Sequence, residues 1–461
     1  MQTECNAEQL EFSCVERRRV VAAFDGGTVS SDAGALLLGR ADEAIGLIDR
    51  LAGCFIDQRR PDLIEHTVRT MIGQRVFGIA LGYEDLNDHE QLRHDPVFGA
   101  LLGKLQAKRS DCAALAGKST LNRLELHARE GVVDPYHKIR PQSEAIERLL
   151  VDLFLEAHAQ APEQIVLDLD ATDDPLHGHQ EGRFFHGYYD GYCYLPLYIF
   201  CGEHLLASKL RTSDIDGAAG AREEVERIVA QMRQRWPAVR IILRADSGFC
   251  REQLMSYCEQ NGVDYVFGLA RNTRLVRAIG AELHEAAAES AHTDRPARRF
   301  KELSYRTRRS WSRARRVVAK AEQTGDKANP RFIVSSLSMH EWPMRELYEQ
   351  LYCARGEMEN RIKEAQLNLF ADRLSTESFR ANQLRLWLSS AAYVLMHALR
   401  RIGLVATRMA RACANTIRLR LLKIGAVVTV SVRRVKLAMS QACPNQREFI
   451  HAFHALTAAA R

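Results

Sequence analysis

An apolar run that carries two carboxylates limits the fold of this chain more than any other feature. Residues 165–170 read Ile-Val-Leu-Asp-Leu-Asp, and Asp173 and Asp174 follow just past the end. Side chains alternate along a strand, so Ile165, Leu167 and Leu169 share one face while Val166, Asp168 and Asp170 share the other. Neighbouring carboxylates on a half-buried strand repel each other and lose hydration, which destabilises the strand unless something positive sits there. The run therefore predicts a strand packed in a sheet, with positive charge brought to its acidic face.

The surrounding pattern is that of a mixed sheet. Residues 192–200, 205–212, 239–246 and 263–270 read as four further strands, and helical runs at 218–236 and 250–262 separate the last three of them. Three strands in succession, then strand–helix–strand, predict an α/β core: a mixed five-stranded sheet with helices packed on it. Three more strand-like runs lie between 297 and 338, and a long helix is predicted over 343–370, with another from Ser375. From Ser30 to about Glu156 the spacing is helical. Within that region STLNRLELH, from Ser119, predicts a short capped helix, either a recognition helix or an ordinary packing helix. These patterns divide the chain into a helical segment 1–160, a core in two parts at 161–272 and 341–400, a β-rich basic insertion at 273–340, and a basic C-terminal segment at 401–461.

Composition narrows the class. A chain of 461 residues is too long for one ordinary core, and 46% hydrophobic with 26% charged residues is normal for a soluble globular protein. The formal charge of +6 conceals uneven distribution. Arg400–Lys436 holds ten Lys or Arg and no acid, and Arg295–Lys320 holds eleven against Glu302 alone. Such blocks point to polyanion contact or to a solvated basic face. Eleven scattered cysteines without a CxxC pair fit reduced thiols rather than a disulfide framework or zinc site. The N-terminus has acids and no apolar centre, and the uncharged stretch 386–399 is too short and polar to span a bilayer. A soluble, cytoplasmic protein with no membrane contact is expected.

Two further acids stand out. In LRADSGF (243–249) an apolar strand ends in Asp246, at the carboxyl end of a strand where open α/β sheets build their sites. A turn-capping role explains a lone Asp equally well, but two acidic strand ends in one sheet are consistent with divalent cations, and oxygen ligands favour Mg²⁺ or Mn²⁺. On the long helix Tyr352, Arg355, Glu359 and Lys363 fall at i, i+3, i+7 and i+11, one stripe. Beside two acidic strands, Glu359 becomes a candidate third ligand, and Tyr352 and Arg355 become candidate phosphate or base contacts. His177, His179 and His186 read as a polar loop or a histidine metal site, and Trp311 and Trp342 as core or as base-stacking groups.

The order Asp-strand, Asp-strand, β-rich insertion, Glu-helix resembles the DDE transposases with a ribonuclease H-like catalytic core. Tyr352-x₂-Arg355-x₃-Glu359 resembles the Tyr-Arg-Glu-Lys signature of insertion-sequence transposases, with Gln366 standing where the signature has its Lys and Lys363 one turn after Glu359. GYEDLNDHEQLRHDP, LDLDATDDPLHGHQEGRFFHGYYDGYCYLPLYIF and RADSGFC are similar to insertion-sequence family 1380, the likeness running from about Phe24 to near residue 400. The resemblance implies a bacterial, nucleoid-associated transposase with Asp170, Asp246 and Glu359 as catalytic triad and metal ligands, and Asp168 as a supporting group. It implies two Mg²⁺ ions per site, replaceable by Mn²⁺, and two-metal phosphoryl transfer on double-stranded DNA, at terminal inverted repeats and at the target. It also implies a homodimer on paired ends. Tyr352, Arg355, Lys363 and the insertion's Arg306, Arg308 and Arg309 are the expected DNA contacts. A catalytically idle DNA-binding regulator, or a nuclease without strand transfer, would share the fold. Residues 405–461 are expected to serve two-end assembly and to be dispensable for solubility.

Overall fold

The computed structural model describes residues 8–127 and 134–460, and the chain divides into two compact units, Met1–Arg140 with Ala391–Arg461, and Pro141–Ser390. The second unit is built on one mixed sheet. Its main strands are β1 (Gln164–Ala171), β2 (Leu197–Cys201), β3 (His204–Lys209), β4 (Arg240–Ala245), β5 (Asp264–Leu269), β6 (Ala297–Tyr305), β7 (Arg315–Thr324) and β8 (Arg331–Ser335). They run in the order β3-β2-β1-β4-β5-β8-β7-β6, and the short strand Lys327–Ala328 adds to β7. β1, β2 and β3 are antiparallel, whereas β4 and β5 join parallel to β1. The parallel strands need crossovers, supplied by helices Ala221–Arg235 and Glu252–Gln260.

The insertion strands do not stand apart from the five-stranded core. β8 pairs with the outer edge of β5, so β6–β8 extend the same sheet. An uncovered β5 would present a row of unpaired backbone groups, and β8 removes that edge.

Alternation along β1 is as its sequence demands. Ile165, Leu167 and Leu169 lie in the larger core with Val225, Ile228, Leu243, Met255 and Phe267. On the opposite face Ile242, Val266, Val318 and Ile333 pack under Leu347, Tyr348 and Leu351, with Val166 beside them. The helix over that face is unevenly wound. A turn at Met344–Glu346 passes into a π-helical stretch, Leu347–Tyr352, then a 3-10 turn, Cys353–Arg355, before regular α-helix resumes over Gly356–Leu369.

The first unit is helical, and its two sequence segments are interlocked. Helix Val68–Leu81, capped by the Thr67 hydroxyl, is buried along most of its length. Its Arg75 meets the buried carboxylate of Glu125 at 2.8 Å. Arg418, from the C-terminal segment, donates to the carbonyls of Ala80 and Ile79 at the end of that helix. The β-branched run near the C-terminus forms a hairpin, Ala426–Val430 with Val435–Met439, which pairs with Val29–Ser30. That run is therefore taken up by strands of its own unit. The short helix expected from Ser119 forms over Lys118–Glu125, but Gly117 occupies its N-cap and no side chain caps it. Among the described residues no helix is long and apolar enough to cross a membrane.

Candidate active site

The acidic face of β1 resolves into two different environments. Arg244 of β4 lies opposite Asp168 of β1 in the register of the parallel pair. Its Nε and Nη2 donate to the two Asp168 oxygens at 2.5 and 2.8 Å, and its Nη1 donates to the Leu351 carbonyl at 2.6 Å. Both side chains are buried, so the positive charge that the sequence demanded beside Asp168 is a guanidinium. Bidentate pairing satisfies both carboxylate oxygens and leaves Asp168 no free face.

Asp170, two residues on, is different. Burial pushes its carboxyl up to about 6; nearby Arg355 opposes the shift, while Asp246 and Glu359 add to it. Arg355 Nη2 bonds Glu359 at 2.8 Å and Arg355 Nη1 stands 4.0 Å from Asp170. Asp246 ends the β4 segment, where its Oδ1 accepts from the Gly248 N–H at 2.8 Å. Asp246 therefore caps the turn through one oxygen, and its second oxygen lies outside that bond.

The helix over this face brings Arg355 and Glu359 to the same place. Tyr352 is half-buried, its ring 5.6 Å from that of Tyr348, and burial raises its hydroxyl's pKa. Close approach depends on a glycine in β5. A Cβ on Gly268 would lie 2.7 Å from the Tyr352 hydroxyl and 2.8 Å from the Ser247 backbone nitrogen. Gly268→Ala is thus expected to shift the turn after Asp246 and to cost about 1–3 kcal/mol of stability. Thermal unfolding beside a DNA-cleavage assay checks it, and an unchanged melting midpoint with full cleavage would contradict this packing.

Other sequence candidates separate. Lys363 is exposed, whereas Gln366 is half-buried and turned onto the chain that follows Asp170. Arg306, Arg308 and Arg309 lie exposed on the turn between β6 and β7. Trp311, in the same turn, is only 4% exposed, edge-on to Tyr305 and covered by Arg315, so it is core. Trp342 packs against the second apolar face, and its carbonyl accepts from Arg316. His177 and His179 are exposed, and the His186 ring lies 4.9 Å from that of Tyr189, tilted by 44°. The aromatic run after them splits: Tyr194, Tyr198 and Phe200 are core, while Phe184, Phe185, Tyr188 and Tyr192 are exposed.

Among the described residues no three His, Cys, Asp or Glu side chains stand at metal-ligand spacing. The donor set of Asp170, Asp246 and Glu359 is nonetheless all oxygen, which suits a hard divalent cation, and Arg355 lies between two of its members. Sequence reasoning missed Arg244. The available signal was symmetry: Asp168 and Arg244 are opposite charges, each two residues before a strand-end Asp.

The family model described as "Transposase DDE domain group 1" matches residues 12–461. No curated protein matches the chain. Among solved structures, one titled "Cryo-EM structure of piggyBac transposase synaptic complex with hairpin DNA" is 12% identical, covers 85% of this chain and 80% of its own, and superposes with a TM-score of 0.42.

Proposed function

The chain belongs to the group 1 DDE transposases, and from that premise we propose that it excises and integrates its own insertion sequence, of the kind grouped as family 1380. The sheet order β3-β2-β1-β4-β5, antiparallel then parallel, supports a ribonuclease H-like core. The observation that carries the reading is the geometry around Arg355, whose guanidinium stands 4.0 Å from Asp170 and bonds Glu359 at 2.8 Å, with Asp246 following β4, the strand parallel to β1.

Asp170, Asp246 and Glu359 would together hold two Mg²⁺ ions, or Mn²⁺ in their place. Bound there, the ions supply Lewis-acid activation of the attacking oxygen and offset charge on the phosphate. In cleavage, water attacks the phosphorus at the element's end and the 3′ oxygen leaves. In transfer, that freed 3′ hydroxyl attacks a target phosphodiester in line. Arg355, held by Glu359, would bind a phosphate oxygen as the DNA enters, with Tyr352 one turn before it and the exposed Lys363 farther along the helix as further DNA contacts. The small residues after each Asp, Ala171 and Ser247, leave room for the backbone of the substrate. Cleavage of DNA bearing the element's ends is expected only with Mg²⁺ or Mn²⁺; full activity in excess EDTA would overturn the mechanism.

DNA grip is assigned to a helix face in the first unit and a basic turn in the second. In the first unit, helix Lys118–Glu125 buries Leu121 and Leu124 and exposes Lys118, Ser119, Asn122 and Arg123, an outward face without acids. That helix borders a groove of about 1280 Å³ lined by Arg93, Arg109 and Lys118 and also by Glu90, Asp95 and Asp111, with Arg93 paired to Glu90 and Arg109 to Asp111. Helices in the major groove read base edges with such donors, so this face would take the terminal repeat. In the second unit, Arg306, Arg308 and Arg309 would lie on phosphates. Each phosphate neutralised adds roughly 0.9 to the slope of log K against log salt, so replacing all three should flatten it by up to about three. An unchanged slope would place that turn away from DNA. Two chains acting on paired ends, as a homodimer, complete the reading.

A further inference from the structure

We propose that Arg244 and Gln366 are positioning residues that clamp the Glu359 helix onto the Asp170 strand from both sides. The inference rests on reading Asp170, Asp246 and Glu359 as the catalytic carboxylates.

The first clamp lies before Asp170 in β1 and before Glu359 in the helix. One guanidinium joins Asp168, two residues ahead of Asp170, to the carbonyl of Leu351, eight residues ahead of Glu359. Arg244 itself stands two residues ahead of Asp246, so one side chain touches or carries all three elements of the triad. The winding of the helix makes this bond available. Over Leu347–Tyr352 the chain is π-helical and over Cys353–Arg355 it is 3-10, so the regular i to i+4 ladder is interrupted at the point where Leu351 accepts from Arg244. Such interruptions free carbonyls for other donors and are frequent at functional sites.

The second clamp lies after both residues. Gln366, two turns beyond Glu359, donates from Nε2 to the Asp173 carbonyl at 3.1 Å and to Asp174 Oδ1 at 2.8 Å. Asp173 and Asp174 are the first acids after β1. Asp174 is fully buried, and burial holds its carboxyl well above the usual carboxylate range. An amide donor meets both the Asp173 carbonyl and the Asp174 oxygen without adding charge to this buried place, where the signature has a Lys. Between the clamps, the helix can neither slide along β1 nor roll on it without breaking a polar bond that is buried at Arg244 and part-buried at Gln366. Glu359, its side chain 41% exposed, is tied among the described residues to Arg355 alone and has no comparable anchor there.

The test uses the full-length chain with Arg244→Lys and Gln366→Ala, beside Asp170→Ala. Lys keeps the charge but cannot bond both Asp168 oxygens and the Leu351 carbonyl together. Outer groups that orient metal ligands typically contribute about 10–100-fold in metal affinity or activity. Each clamp variant is expected to bind end DNA like the parent and to melt as a folded protein. Its Mn²⁺ affinity, read by calorimetry without DNA, should weaken about tenfold or more, with cleavage slowed in parallel. Should Arg244→Lys fail to fold, Gln366→Ala, altered at a half-buried side chain, gives the decision alone. Mn²⁺ affinity and cleavage both within twofold of the parent would overturn the clamps while Asp170→Ala is inactive. An Asp170→Ala protein that cleaves like the parent would instead overturn the site itself, and the clamps with it.

Discussion

Asp170→Ala, Asp246→Ala and Glu359→Ala are each expected to abolish cleavage and strand transfer while end binding survives. Asp170 and Glu359 meet through Arg355, and Asp246 and Glu359 both raise the proton affinity of Asp170. Removing one oxygen donor from an all-carboxylate site weakens cation binding and leaves the reacting phosphate's charge less balanced. Several kcal/mol of transition-state stabilisation is at stake, on the order of a thousandfold in rate or more. The surfaces assigned to DNA, the exposed face of helix Lys118–Glu125 and the turn bearing Arg306, Arg308 and Arg309, are untouched by these changes. Retention of a shifted band in a binding assay with loss of product in a cleavage assay is the expected pair. Glu357, two residues before Glu359 on the same helix, is the control; loss of activity in Glu357→Ala with an active Glu359→Ala would move the helix register.

The opposite outcome for Asp168 follows from the same geometry. Asp168→Asn removes half of a buried ion pair and leaves Arg244 without a matching charge, a change that characteristically destabilises a fold by about 3–5 kcal/mol. Asp168 should therefore register as loss of stability, visible in thermal melting, and Asp170 as loss of chemistry. That split was legible in the sequence only in part. Alternation on β1 put both acids on one face, but the partner of each depends on which residue of a distant strand lies opposite. Register between β1 and β4 is set by packing across some seventy residues of chain and leaves no local mark. The fate of the insertion was hidden for a similar reason. Its strands read correctly as strands, but whether they close on themselves or continue the core sheet turns on the free edge of β5. The periodic helix at 343–370 concealed its uneven winding, because π and 3-10 turns keep the apolar side chains of Leu347, Tyr348 and Leu351 on the sheet.

Removing residues 405–461 is expected to unfold the first unit rather than leave a soluble protein that merely fails to pair ends. Sequence alone made this segment look like an appendage, because its basic and β-branched residues carry no helical stripe of their own. The structure makes it part of the core. Ile417, Leu421, Leu422, Ile424, Ala426 and Val428 are buried, as are Ala452 and Leu456 of helix Gln446–Ala459. A Cβ on Gly34 would lie 2.1 Å from the Leu421 carbonyl, so the N-terminal segment is built directly against this backbone. Arg418 satisfies carbonyls at the end of helix Val68–Leu81, and Val428 donates to the Thr28 carbonyl at 2.8 Å. Each large apolar side chain returned to water costs about 1.5–3 kcal/mol, and five of the six core residues just named from 417 to 428 are Leu, Ile or Val. Their combined loss reaches roughly the whole 5–15 kcal/mol that stabilises an ordinary domain, before the orphaned carbonyls are counted. The truncated chain should accumulate as aggregate, or show a first unit digested rapidly by protease while fragments of 141–390 persist. A truncated protein that stays monodisperse, and whose first unit resists protease like that of the full chain, would show that the C-terminal segment is only laid on the surface.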